Sequence, residues 1–172
     1  MNVGIIGCGG MGTLHAQMAA NCGLNIVACA DIRKEKAVHL AQQHKAQAIE
    51  DCFALVRRAE VDIVAICTPT PCHTPYVCAA AQAGKHVFCE KPFGRTLTQC
   101  LEAMEVVERA GVKLFVGHVV RYFQEFEAIK AQIRAGQVGK VGFVKTYRGG
   151  IFPKGEGLWF SDYEVSGGVV LD

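Results

Sequence analysis

Apolar residues fall into short continuous runs, broken by glycine, proline or polar residues, that alternate with stretches of helical period. Val3-Gly4-Ile5-Ile6 is the first run, and it breaks into Gly7, Gly9, Gly10 and Gly12. A helix over residues 11–22 follows and stops at Gly23. Asn25–Ala30 predicts a second buried strand, and residues 32–44 a helix with Ala37, Leu40, Ala41 and His44 on one stripe. A short strand near 46–49 and a helix around 52–58 come next. Residues 62–67 are almost continuously apolar, as in a parallel strand covered on both faces. Thr68-Pro69-Thr70-Pro71 then predicts a rigid, non-helical loop. Residues 73–83 predict a helix ended by Gly84, and His86–Cys89 a strand running into Glu90-Lys91-Pro92. Leu97, Cys100, Leu101, Met104 and Val107 mark a long amphipathic helix, with Met104 as core filler, and 113–117 is a sixth strand. This alternation predicts an α/β doubly wound parallel sheet over residues 1–118, with right-handed crossovers.

The pattern changes after residue 118. Phe123, Phe126, Ile129 and Ile133 share one face of a helix ending at Gly136, and residues 141–148 alternate as a strand does. A glycine-rich loop with Trp159 follows, and an apolar element begins at Ser166 just before the last residue. Residues 119–172 thus read as the incomplete start of a second domain.

Composition narrows the function classes. With 51% hydrophobic and 20% charged residues in 172, the chain is ordinary for a globular α/β protein. A net charge of +2 is too small and scattered to point to nucleic acid. Nine cysteines form no C-x-x-C pair or zinc spacing, and several sit in apolar runs, so they read as small buried hydrophobes in a reducing compartment. Neither a signal peptide nor a run of eighteen apolar residues is present, so the expectation is a cytoplasmic protein with no membrane partner.

The candidate chemistry gathers at predicted strand ends, where ligands of such sheets bind. Gly7, Gly9 and Gly12 have the G-x-G-x-x-G spacing of a dinucleotide-binding turn, so Gly7-Cys8-Gly9-Gly10-Met11-Gly12 is the expected cofactor cradle. Gly7 suits the tight turn, Gly9 close approach of a pyrophosphate and Gly12 helix–strand packing, with helix N–H groups facing the phosphates. Asp31 lies nineteen residues past Gly12, where an acid accepts the adenosine ribose hydroxyls. A 2′-phosphate there meets a like charge, costing up to about 4 kcal/mol before screening, so NAD is expected over NADP. Arg33 and Lys34 soften that repulsion if Asp31 turns away, and Asp31 also suits a helix N-cap.

Several longer motifs carry a resemblance. Together with the glycine turn these are Thr68-Pro69-Thr70-x-x-His73, Gly84-Lys85-His86-Val87-x-x-Glu90-Lys91-Pro92, Val116-Gly117-His118-x-x-Arg121 and Ser166-Gly167-Gly168-x-x-x-Asp172. Over its whole length the chain resembles the glucose–fructose oxidoreductase / inositol dehydrogenase / rhizopine-catabolism (Gfo/Idh/MocA) family of NAD(P)-dependent oxidoreductases. The resemblance implies a Rossmann domain followed by an α+β open-sheet domain, present here as its truncated start. It also implies hydride transfer to or from a sugar, cyclitol or related polyol carbon. Lys91 resembles the family's motif lysine beside the nicotinamide, and Asp172 the aspartate of a D-x-x-x-H segment whose histidine falls past residue 172.

Hydride transfer needs a fixed cofactor, a base for the hydroxyl proton and a partner for the developing alkoxide. Lys91 suits either of the last two roles, with Glu90 orienting it or contacting the nicotinamide ribose. Thr68, Pro69 and Thr70 are expected to line the cofactor, with His73 either beside it or simply starting a helix. Arg121, His118 and Trp159 are the substrate-side candidates, against a salt bridge for Arg121 and plain packing for Trp159. His15, His39 and His44 read as structural or surface residues, and no metal site is expected. A homo-oligomer is expected, through the open strand edge and apolar helix face. A cofactor-binding module without turnover is the alternative function, and another Rossmann enzyme, such as a methyltransferase, fits Glu90-Lys91-Pro92 poorly.

Overall fold

The computed structural model describes residues 1–147, 149 and 162–166. Six strands, β1 (Asn2–Ile6), β2 (Asn25–Ala30), β3 (Gln47–Ile49), β4 (Ile63–Ile66), β5 (His86–Cys89) and β6 (Leu114–Val116), form one sheet in the order β3-β2-β1-β4-β5-β6. Every pairing is parallel. Strand order reverses between β1 and β4, which makes their carboxyl ends the switch point of a Rossmann-like fold.

Alternation along the strands builds two core layers. On one face Ile5, Cys29 and Ala65 meet Ala16 of α1 (Gly10–Asn21) and Ala37 and Leu40 of α2 (Lys34–His44). On the other, Ile6, Ala30 and Ile66 meet Leu55 of α3 (Cys52–Val56), Val77 and Ala80 of α4 (His73–Gln82), and Ala103 and Val107 of α5 (Leu97–Ala110). Each fully buried Leu, Ile or Val contributes roughly 1.5–3 kcal/mol. Caps set the helix limits: the Asp51 side chain accepts from Phe53 N–H at the start of α3, and Thr96 from Gln99 N–H at the start of α5. Gly23, Gly84 and Gly111 stop α1, α4 and α5 with positive φ.

Several expectations change. Prolines 69 and 71 do not keep the loop free of helix, because residues Thr70–Cys72 form a 3-10 turn with Pro71 in its first positions, where no N–H is needed. Helix α5 buries Ala103 and Val107, while Leu97, Leu101 and Met104 are exposed, so Met104 fills no core. All nine cysteines are free, but Cys22 and Cys72 are exposed and only Cys8, Cys29, Cys52 and Cys89 are fully buried.

The chain divides into two compact units, one of Met1–Gly117 with the described residues 162–166, the other within His118–Leu158. In the first, α7 (Tyr163–Ser166) buries Ser166 and sets Tyr163 beneath the Arg95 guanidinium, 5.9 Å from the ring centre. The second holds a 3-10 turn at Val119–Tyr122 and α6 (Gln124–Arg134), whose Phe126, Ile129 and Ile133 are exposed. The strand expected over 141–148 does not form in its described part, 141–147. A strand needs a neighbour to take its N–H and C=O groups, and the described residues of this unit supply none.

Candidate cofactor site at the carboxyl edge of the sheet

Backbone bonds continue the ladder one residue past the strands and line up the loops that carry the candidate residues. Gly7 N–H donates to Ala30 O, Cys67 N–H to Ile6 O, Glu90 N–H to Ile66 O and Gly117 N–H to Cys89 O, all within 2.8–2.9 Å. Asp31, Gly7, Cys67 and Glu90 therefore stand in strand order along one edge, each step about 4.8 Å.

The glycines divide by job. Gly7 has φ +90°, and a Cβ there would fall 2.6 Å from the Cys67 carbonyl oxygen. At Gly12 a Cβ would run into the Gly7 carbonyl, so α1 seats on the turn only without a side chain. A Cβ on Gly9 or Gly10 meets, among the described residues, no atom within 4 Å beyond its immediate chain surroundings. That open face lies at the N-terminus of α1, where Gly9 is the N-cap and caps with no side chain. The first-turn N–H groups have no intrahelical partner, which suits an anion. Met11 is exposed on that first turn, while the Cys8 N–H is committed elsewhere.

Its partner is Asp31, 9% exposed. Asp31 Oδ2 accepts from Cys8 N–H at 2.7 Å and Oδ1 from Arg33 N–H at 2.8 Å. The carboxylate is held from both sides, with one lone-pair direction left on each oxygen. It neither turns away nor caps α2, whose N-cap is Arg33, and Lys34 pairs with Glu50. Close by, the hydrogen bond with Cys29 and then burial push the Cys8 thiol far above the ordinary range, so it adds no charge beneath the turn.

On the far side of the switch point sits Thr68. Its Oγ1 is a buried polar atom with no hydrogen-bond partner among the described residues. Pro69 is exposed and Thr70 buried. His73, 1% exposed, sets Nε2 2.7 Å from Thr68 O and Nδ1 2.7 Å from Pro92 O. Both ring nitrogens face carbonyl oxygens, so neither is offered to a ligand. His73 thus braces the rim between the Thr68 loop and the turn at Pro92.

Glu90 is 6% exposed, and its Oε2 accepts from Lys91 N–H at 3.1 Å. Its Oε1 lies 2.6 Å from Nε2 of His15, whose ring packs on Phe88 with centroids 4.6 Å apart. Burial raises the Glu90 carboxyl, but the bond and charge of His15, with the N–H and ammonium of Lys91, outweigh it and leave it below its ordinary value. His15 is therefore no isolated helix histidine. Its signal in the sequence is its position three residues after Gly12, one turn along the face that seats α1 on the sheet. The Lys91–Pro92 bond is cis, and the Lys91 side chain is half-buried at the turn. Just beneath, burial and then the Glu90 charge raise the Cys67 thiol.

An apolar hollow of about 280 Å³ runs under α1, lined by Met18, Leu24, Ile63, Phe88 and the His15 ring. His118 and Arg121, the substrate-side candidates of the second unit, are exposed. Trp159 and Asp172 lie outside the described residues. Among the described residues no three His, Cys, Asp or Glu side chains are grouped to hold a metal ion, and no helix is long and apolar enough to cross a membrane.

A parallel sheet with a side-chain-free cradle at its switch point and an acid at the end of β2 defines a Rossmann nucleotide-binding fold. The chain belongs to the Gfo/Idh/MocA oxidoreductases, described as "oxidoreductase family, NAD-binding Rossmann fold", whose family model matches residues 1–118. Among curated relatives it is 33% identical over 176 residues to the myo-inositol 2-dehydrogenase of Thermotoga maritima, covering 100% of this chain and 51% of that one. Among solved structures, an NAD-binding oxidoreductase from Klebsiella pneumoniae superposes with a TM-score of 0.75 at 32% identity, over 81% of this chain and 40% of its own. A second, described as NADPH-dependent and from Desulfitobacterium hafniense, gives 0.75 at 25% identity, over 81% and 40%. The chain spans about half the length, or less, of the curated relatives it matches.

Proposed function

We propose that this chain supplies the cofactor half of an NAD-dependent dehydrogenase acting on a sugar, cyclitol or related polyol. The observation that carries the reading is Thr68 Oγ1, a buried hydroxyl without a partner at the switch point. Leaving such a group unsatisfied costs about 1–3 kcal/mol, which a ribose or carboxamide of the cofactor recovers on binding. The open face at Gly9 and Gly10 receives the pyrophosphate on α1, and Asp31 accepts the adenosine ribose hydroxyls. Asp31 is held in place by two backbone N–H groups, which favours NAD over NADP.

The nicotinamide, when bound, supplies the hydride chemistry. Lys91 stands at the same edge to take the proton of the substrate hydroxyl or hold the alkoxide, and Glu90 fixes the turn that carries it. Asp172 assists Lys91, and His118, Arg121 and Trp159 contact the substrate. The polyol class rests on what the relatives are named for, inositol among them. Exposed apolar stripes on α5 and on α6, each taken by itself, support a homo-oligomer.

A second reading, cofactor binding without turnover by the 172-residue chain alone, is favoured by its span of about half a relative's length. Both readings require NAD binding, and Thr68→Val tests it. Valine removes the orphan hydroxyl at nearly constant shape, so the cofactor-free chain melts no lower than wild type. NADH affinity falls by about five- to tenfold. No saturable NADH binding by wild type, or equal binding by the variant, refutes the proposal.

A further inference from the structure

We propose that His15 is a positioning residue for the nicotinamide half of the site, coupling the phosphate-facing helix α1 to the Glu90-Lys91-Pro92 turn by holding the Glu90 carboxylate. The inference rests on the dinucleotide reading of the edge and extends it to a residue outside the glycine turn.

Glu90 is buried at the end of β5, and its two oxygens have different partners. Oε2 takes the Lys91 N–H, and Oε1 takes His15 Nε2 at 2.6 Å. The His15 ring is fixed in turn by Phe88 of the same strand. A buried carboxylate that loses one of two partners rotates toward its remaining donors or takes up a proton. Its remaining partner is Lys91, by the hydrogen bond of its N–H and the charge of its ammonium, so the disturbance falls on the turn that presents the lysine. The glycine turn is spared. It follows β1, two strands away from β5 and about 9–10 Å along the edge, and its Gly7 and Asp31 contacts involve neither His15 nor Glu90.

The position of the pair therefore predicts a split effect. His15→Ala is compared with wild type for binding of NAD and of ADP, which keeps the adenosine and both phosphates but lacks the nicotinamide riboside. Affinity for NAD is expected to fall by about tenfold, the loss of one hydrogen bond to a charged group, with ADP unchanged within about twofold. His15→Gln, whose amide nitrogen reaches where Nε2 lies, keeps the wild-type ratio of the two affinities. If the alanine variant does not fold, His15→Asn, whose shorter amide stops short of Glu90, takes its place in the comparison. NAD and ADP weakening in equal proportion assigns His15 to the packing of α1 and overturns the proposal, as does an unchanged ratio. Failure of wild type to bind ADP sinks the dinucleotide reading itself, a result separate from either.

Discussion

Replacing Asp31 by asparagine isolates the charge at the end of β2. The carboxylate is 9% exposed and clasped by Cys8 N–H and Arg33 N–H, so its charge is held at the end of β2, where the proposal sets the adenosine ribose. A 2′-phosphate about 4 Å from it is repelled by about 4 kcal/mol per unit charge at an effective dielectric of 20, and by about 1 kcal/mol at that of water. The cation that follows Arg33 in sequence gives little relief, because Lys34 is paired with Glu50. Wild type should thus prefer NADH over NADPH by between about fivefold and 10³-fold. Asp31→Asn keeps the volume and removes the charge, so most of that preference disappears. The amide also turns an NH₂ toward one of the two backbone donors, which costs about 1–3 kcal/mol and lowers the melting temperature by several degrees. Fluorescence titrations with NADH and NADPH at low and high salt read the ratio, and added salt should shrink it in wild type alone. Equal ratios in wild type and variant refute the reasoning, and so does tighter NADPH binding by wild type.

Three further outcomes follow from the same edge. Gly9→Ala should fold with stability within about 1 kcal/mol of wild type, since its Cβ meets nothing and φ −78° suits alanine, yet bind NADH about tenfold more weakly. Gly7→Ala combines a left-handed φ with a clash against backbone, so it loses at least about 1–3 kcal/mol in denaturant titration, and a variant as stable as wild type contradicts the close packing of the turn. For Glu90 the folded pKa lies below the ordinary 4.5. Its contribution to stability is therefore full above pH 4.5 and is lost as pH falls through the lower, folded value. Melting temperature against pH should drop less steeply in this acid range for Glu90→Gln, and parallel curves argue against the His15–Glu90 pair.

Much of this fold is legible in one dimension because its signals are local. Each strand of the sheet but the short β3 is built on an apolar run, and the stops at Gly23, Gly84 and Gly111 need only the few residues before them. Spacing likewise reveals the glycine turn, and distance along the chain reveals Asp31. What it hides are partners from other strands: Cys8 N–H for Asp31, His15 for Glu90 and Pro92 O for His73 are separated by 23, 75 and 19 residues. They meet only once the order β2-β1-β4-β5 is known. Helix α5 misleads for a related reason. Its large residues, Leu97, Leu101 and Met104, outline the more obvious stripe, but the face that packs on α4 uses small Ala103 against Ala80 and Ala81. Residues 141–147 alternate without a neighbouring strand, and periodicity alone does not supply one.

His73 spans two loops with a single ring, and this bears on how the site breathes. Lifting the Thr68 loop breaks the bond to Nε2, and lifting the turn at Pro92 breaks the bond to Nδ1. Each movement breaks a bond of the same buried ring, so opening one loop lowers the cost of opening the other. The two loops then belong to one cooperative opening unit, and the His15–Glu90 contact ties the second of them to α1.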